Sequence, residues 1–183
     1  PLVSVLFERG VFTSEDTAAT ALAVAIYGLG LPAFVLQKTL QPLFFAREDT
    51  KRPFYYALIA MVLNAALAIG LAPLIGFTAA AIGTSLTGWA MVLLLMRGAR
   101  SMGDAGKFDD RFKRRLTRNI LASATMGVIL FFSAAAMTPL FDSGLTRYLA
   151  LLGLVAIGIV SYFGIGHLIG AFKLSEFRRN LRR

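Results

Sequence analysis

A single cation, Lys38, lies well inside a stretch that carries no other charge from residue 17 to residue 45. A charged side chain at membrane depth costs about 2.5–3.5 kcal/mol on insertion scales, so it must reach the interface or face a wet cavity. The first outcome is snorkelling along a long aliphatic stem. The second is contact with an anion, for which a lysine acts as a point charge suited to phosphate. Both readings are open from the residues alone. The same stretch holds Gly28, Gly30, Pro32 and Pro42. Proline removes a backbone donor and crowds the preceding turn, so a bend is expected there. A bend serves packing, or it makes a hinge of the kind that lines transport cavities. Catalysis is a poor alternative. The long apolar stretches contain no Asp, Glu or Cys and one histidine, His167, so general bases, nucleophiles and metal-ligand sets are missing from them. No cofactor is expected. A structural subunit is a further alternative, against which Lys38 and the proline-broken stretch argue.

The elements that must position these residues follow from length. Crossing about 30 Å of hydrocarbon takes about 20 helical residues. Five stretches qualify: residues 17–45, 53–72, 77–96, 119–138 and 148–172. They lack period-two alternation and are too long for strands. Hydrophobic residues make up 57% of the 183 and charged residues 16%, with mean hydropathy +0.69. The expected fold class is therefore all-α, a polytopic transmembrane helix bundle. Ser14 is the expected hydroxyl cap of the first span, with Glu15 and Asp16 at its positive end. Residues 1–6 read as the tail of an apolar helix belonging to a longer protein.

Charge sets the orientation. Arg47, Lys51 and Arg52 form one basic cluster; Arg97, Arg100, Lys107, Arg111, Lys113, Arg114, Arg115 and Arg118 form another; Lys173, Arg178, Arg179, Arg182 and Arg183 close the chain. Two spans separate each cluster from the next, so the positive-inside rule places all three in the cytoplasm. The net charge of +9 then implies anionic membrane lipids as partners and not nucleic acid. Phe108, Phe112 and Leu116 recur among cations and predict an amphipathic helix lying along the interface; Phe172, Leu174, Phe177 and Leu181 repeat the pattern in the tail. The expected organisation is residues 1–100 for a helix end and three spans, 101–118 for a basic interfacial linker, 119–172 for the last two spans, and 173–183 for a basic tail. Small residues mark helix contacts: Ala79, Gly83 and Thr87, with Ala80, Thr84 and Gly88 beside them, and Gly166 and Gly170 in the last span.

Three runs carry a family resemblance. Glu8-Arg9-Gly10-Val11-Phe12, Tyr27-Gly28-Leu29-Gly30-Leu31-Pro32-Ala33-Phe34 and, most specifically, Lys38-Thr39-Leu40-Gln41-Pro42-Leu43-Phe44-Phe45-Ala46-Arg47-Glu48-Asp49-Thr50-Lys51-Arg52-Pro53 resemble the MurJ/MviN lipid II flippases of the multidrug/oligosaccharidyl-lipid/polysaccharide exporter superfamily. The likeness reaches the C-terminus and becomes less specific after about residue 100. It implies the C-terminal part of a fourteen-helix, two-lobe exporter in the bacterial cytoplasmic membrane, with the N-terminal lobe of the same protein as a partner.

The resemblance further implies alternating-access transport of the undecaprenyl-diphosphate-linked peptidoglycan precursor to the outer leaflet. By position Lys38 matches a cation facing the central cavity, and Arg47 matches a basic position of an inner gate motif. The last two spans match the helices of a lipid-tail groove. Asn64 and Thr84 match two ligands of a cation site found in some members. Ala68 stands where those members carry a carboxylate, which favours Asn64 pairing with a neighbouring helix instead. The rival reading is another exporter of the superfamily, moving a drug or a different polyprenyl-linked sugar.

Overall fold

The computed structural model describes residues 1–8, 10–106, 109–141 and 144–170, with backbone only at 104–106, 110 and 111. The expected tail amphipath, along with Phe108, lies outside this set. The described residues form six α-helices: α1 (Leu2–Phe7), α2 (Ser14–Phe45), α3 (Lys51–Ile75), α4 (Thr78–Ala99), α5 (Asp110–Ala136) and α6 (Thr146–Leu168). Short 3₁₀ turns follow α4 and α5. No strand occurs among the described residues. Among the described residues five helices are long and apolar enough to cross a membrane, as the sequence predicts. They fall into two compact units: residues 9–107 with α2, α3 and α4, and residues 1–8 with 108–183, holding α1, α5 and α6.

In the first unit α4 is the central helix. It packs along both α2 and α3, which scarcely meet each other. The cause lies in its sequence: Ala79, Ala81, Gly83, Ser85, Thr87, Gly88, Gly98 and Ala99 are all buried. Small side chains let backbones approach closely in lipid, where dispersion and hydrogen bonds hold helices together. Of the two expected stripes, Ala79, Gly83 and Thr87 are buried throughout, whereas in the other Gly88 is buried, Thr84 half-buried and Ala80 exposed. Three side-chain bonds join α2 to α4. Ser85 Oγ donates to the Ile26 carbonyl at 2.8 Å, Trp89 Nε1 to Leu29 at 3.0 Å, and Gln37 Nε2 to Gly88 at 2.9 Å. Each such bond contributes about 0.6 kcal/mol in membrane proteins.

Two local expectations differ from the structure. Thr13, not Ser14, caps α2: its hydroxyl accepts from the Asp16 amide while the Asp16 carboxylate accepts from the Thr13 amide, a reciprocal capping box. The helix simply begins one residue earlier than the acidic pair suggests. Second, α2 is one unbroken α-helix through Pro32 and Pro42. Each proline still withholds one donor, leaving the Gly28 and Lys38 carbonyls without their helical partners.

In the second unit α5 and α6 form a helical hairpin, and α1 packs on α6 with Val3 and Val5 buried. Gly158 lies against Leu130 and Gly153 against Met137. Thr146 Oγ1 donates to the Leu140 carbonyl at 3.2 Å, fastening the start of α6 to the turn before it. At the other end Arg118 Nη1 donates to the carbonyl of Gly170 at 3.0 Å. Gly170 has φ +71°, a conformation that favours glycine. The basic residues from 112 to 118 are the first turns of α5 itself, continuous with the span, so the expected separate interfacial helix is not observed. At 100° per residue Phe112 and Leu116 extend the same stripe as Met126, Leu130 and Ala134.

Candidate functional site

Because α2 and α3 share the floor of α4 and diverge above it, a groove of about 340 Å³ stays open between them. Its polar lining is Gln37 and Gln41 from α2, Asn64 from α3, and Thr84 and Thr87 from α4. Gln37 is engaged with Gly88. The Thr87 hydroxyl donates back into its own helix, to Gly83 at 2.7 Å. Gln41, Asn64 and Thr84 have no side-chain hydrogen bond among the described residues. Polar groups at this depth without partners are expensive and mark functional or helix-pairing positions. Gln37 and Gln41 were not singled out from sequence; two amides at i, i+4 inside an apolar span, flanking Lys38, were the available signal.

Lys38 does not line that groove. It is exposed on the neighbouring flank of α2, about 100° around from Gln37, and makes no ion pair among the described residues. Its own carbonyl is the one left open by Pro42, so one residue carries both a cation and an unpaired acceptor. Arg47 lies nine residues on, about 13 Å along the axis, and is held elsewhere. Its Nη2 donates to the Met102 carbonyl at 3.0 Å. Beside it Arg52 pairs with Asp49 at 3.2 Å and donates to Ser101 Oγ at 3.0 Å, while Ser101 donates to Gly98. These bonds latch the α2–α3 connection to the end of α4. Phe44 and Tyr56 meet edge to face beneath the latch, with centroids 6.4 Å apart. Gly98 is required there, since a Cβ would lie 2.7 Å from Tyr56 Oη.

The four hinge candidates separate into different environments. Gly28 is exposed with nothing within 4 Å of a would-be Cβ, whereas a Cβ on Gly30 would lie 2.8 Å from Ser85 Oγ and 3.1 Å from its Cα. Gly30 is thus a packing contact. Pro32 and Pro42 are both exposed.

Asn64 and Thr84 do come together across the α3–α4 contact. Asn64 Oδ1 would be 3.0 Å from a Cβ on Gly83, so it packs on the glycine stripe. As a cation site these residues do not fit. They offer neutral oxygens only, Ala68 supplies no carboxylate, and no group of three or more His, Cys, Asp or Glu occurs among the described residues. A desolvated cation needs both more oxygens and a counter-charge.

The larger site belongs to the second unit. A groove of about 780 Å³ runs between α5 and α6 beside the start of α1, walled by Met126, Gly127, Leu130, Phe131 and Ala134 on one side and Leu151 through Phe163 on the other. Tyr162 carries the only side-chain polar atom among the residues that line it. Such a wall suits a hydrocarbon chain. His167 is exposed near the end of α6.

Five crossing helices, an amide-lined groove and an apolar groove define the class: a multi-pass, all-helical protein of the bacterial inner membrane. The chain belongs to the lipid II flippase MurJ family, whose profile matches residues 1–156. It is 38% identical over 190 residues to the probable lipid II flippase MurJ of Rhizobium meliloti, covering 100% of this chain and 35% of that protein. The corresponding protein of Rhizobium tropici is 37% identical over 185 residues, with 100% and 34% covered. The lipid II flippase MurJ of Burkholderia cenocepacia is 26% identical over 184 residues, with 100% and 35% covered. The chain spans about a third of the length of these relatives.

Proposed function

We propose that the whole protein containing this chain moves a lipid-linked peptidoglycan precursor from the inner to the outer leaflet of the cytoplasmic membrane. It acts as a transporter and performs no chemical step on its cargo. The observation that carries this reading is the apolar groove of α5 and α6, in a chain of the MurJ family. The polyprenyl chain lies in that groove. Lys38 contacts the diphosphate, and Arg47, through its bond to Met102, couples the α2–α3 connection to the end of α4 as part of an inner gate. Gly28, Pro32 and Pro42, on the exposed side of α2, are the hinge positions. The other lobe of the same protein completes the cavity.

The test is to fill the groove. Gly127 lines it and has nothing within 4 Å of a would-be Cβ, so Gly127→Trp can branch from the α5 backbone there and place its indole in the groove. Full-length Gly127→Trp protein is expected to reach the membrane at normal levels and to fail to rescue a flippase-depleted bacterium. Rescue equal to the unsubstituted protein would remove the groove from the mechanism.

Orientation belongs to the same proposal: residues 97–118 and 173–183 face the cytoplasm. These 183 residues hold no cysteine, so single-cysteine labelling is done in full-length protein freed of any cysteine elsewhere. A cysteine at Arg114 should react only after the membrane is permeabilised, and one at Gly144 should react in intact spheroplasts. The reverse pattern would invert the topology.

A further inference from the structure

We propose that a second groove of the first unit, between α3 and α4, holds one anionic glycerophospholipid, with a chain along the two helices and its phosphate between Arg97 and Arg100. The groove has a volume of about 540 Å³. Ile59 and Leu63 of α3 and Ala90 and Leu93 of α4 wall it, and Arg97 and Arg100 line one end. It shares no residue with the amide-lined groove and lies on the other side of the α3–α4 contact. Ala90, Leu93, Arg97 and Arg100 follow one another at i, i+3, i+7 and i+10, on one helix face. Arg100 closes α4 with helical backbone angles, so the stripe carries on to it. Ten residues cover about 15 Å of axis, half of the roughly 30 Å of hydrocarbon in a bilayer. The groove therefore spans one leaflet and ends in two cations, as an acyl chain beneath an anionic headgroup requires. The orientation proposed above makes that leaflet the cytoplasmic one.

Charge selects the occupant. Arg97 and Arg100 are both exposed, and neither makes an ion pair or a side-chain hydrogen bond among the described residues. Other cations nearby are engaged within the chain: Arg47 with Met102, and Arg52 with Asp49 and Ser101. Helix residues three apart have Cβ atoms about 5–6 Å from each other, so one phosphate reaches both guanidinium groups and accepts from each. The end of α4 favours cations through the helix dipole, which keeps the two arginines charged and open to an outside anion. A zwitterionic lipid brings its own ammonium to the same place, whereas an anionic one does not, and each arginine near the surface favours the anionic lipid by about 1 kcal/mol. Asp104, four residues after Arg100, is the competing acceptor from the chain; its side chain is not among those described. The cargo reading of the α5–α6 groove is not needed for this site.

The experiment mixes full-length protein in detergent with palmitoyl-oleoyl phosphatidylglycerol, or with phosphatidylcholine of the same chains, and counts bound lipid by native mass spectrometry. One phosphatidylglycerol is expected to stay bound under conditions that remove phosphatidylcholine. Arg97→Gln combined with Arg100→Gln should weaken that binding about tenfold, the worth of one charge-assisted hydrogen bond. Ala90→Phe, which puts a ring in the groove, should weaken it several-fold. Gly127→Trp should leave it unchanged, and Asp104→Asn should leave it unchanged or tighten it. Equal binding of the two lipids, or undiminished binding in the double arginine variant, would overturn the phosphate seat. Displacement by inorganic phosphate alone would overturn the chain groove, and a loss in Gly127→Trp would move the lipid to α5 and α6. Unsubstituted protein that keeps no phosphatidylglycerol would show the groove covered by another part of the protein. Matching falls in thermal midpoint in Arg100→Gln and Asp104→Asn, with lipid binding unchanged, would reduce Arg100 to an internal ion pair. Should Ala90→Phe fail to fold, dihexanoyl phosphatidylglycerol decides: several-fold weaker binding than the long-chain lipid supports the groove and equal binding contradicts it.

Discussion

Full-length protein carrying Lys38→Ala is expected to lose the ability to rescue a flippase-depleted bacterium, while its thermal stability in detergent stays level or rises. Lys38 is exposed on α2, makes no ion pair among the described residues, and sits where a cation is costly to insert. Removing it from a purely snorkelling position relieves that cost and changes nothing else. Removing it from a phosphate contact forfeits one charge-assisted hydrogen bond, worth about 1.5–3 kcal/mol. Transport should then slow by about ten- to a hundred-fold. Lys38→Arg keeps the charge and is expected to retain part of the activity. Growth of the Lys38→Ala strain at the normal rate would leave snorkelling as the sole role of this side chain. The same pair of readouts separates a folding defect from a transport defect, since stability and rescue move in opposite senses.

The second large effect is expected at Gly30. A methyl group there would meet Ser85 Oγ at 2.8 Å and Ser85 Cα at 3.1 Å, and the second contact is with backbone that cannot rotate away. Gly30→Ala must push α2 from α4 and weaken the bond from Ser85 to the Ile26 carbonyl. Overpacking of this kind costs about 1–3 kcal/mol. Gly28→Ala, two residues away and facing open space, is the control and should gain up to about 1 kcal/mol in helix propensity. A thermal melt of the detergent-solubilised full-length protein should show a lowered midpoint for the first variant and an unchanged or raised one for the second. If Gly28→Ala is stable but inactive in rescue, Gly28 acts as a hinge; if Gly30→Ala melts normally, the α2–α4 seam does not hold the unit together.

These two glycines show where sequence reasoning stops. Both sit in the same Gly28-Leu29-Gly30-Leu31-Pro32 run and look alike as hinge residues. Only the facing helix distinguishes them, because Ser85 is 55 positions further along the chain. The spans themselves were legible, since about 20 apolar residues in a row admit few structures. So was the glycine and alanine stripe of α4. Helix continuity was less so. Pro32 and Pro42 signal a missing hydrogen bond, but the Ser85, Trp89 and Gln37 bonds to α4 support the surrounding backbone, and α2 runs on as one helix. Phe112 and Leu116 suggested an interfacial helix because a 3.6-residue period reports a face without saying what covers it. In the fold that face continues into the groove stripe of α5.

Direct observation of cargo crossing the bilayer tests the account most plainly. Cells depleted of their own flippase and expressing the full-length protein would be treated with an externally added enzyme that cleaves lipid II only at the outer face, and the cleaved fraction measured. The account predicts that most of the lipid II becomes accessible with the unsubstituted protein and stays protected with Gly127→Trp. Lipid II that stays protected despite normal levels of folded protein in the membrane would contradict it.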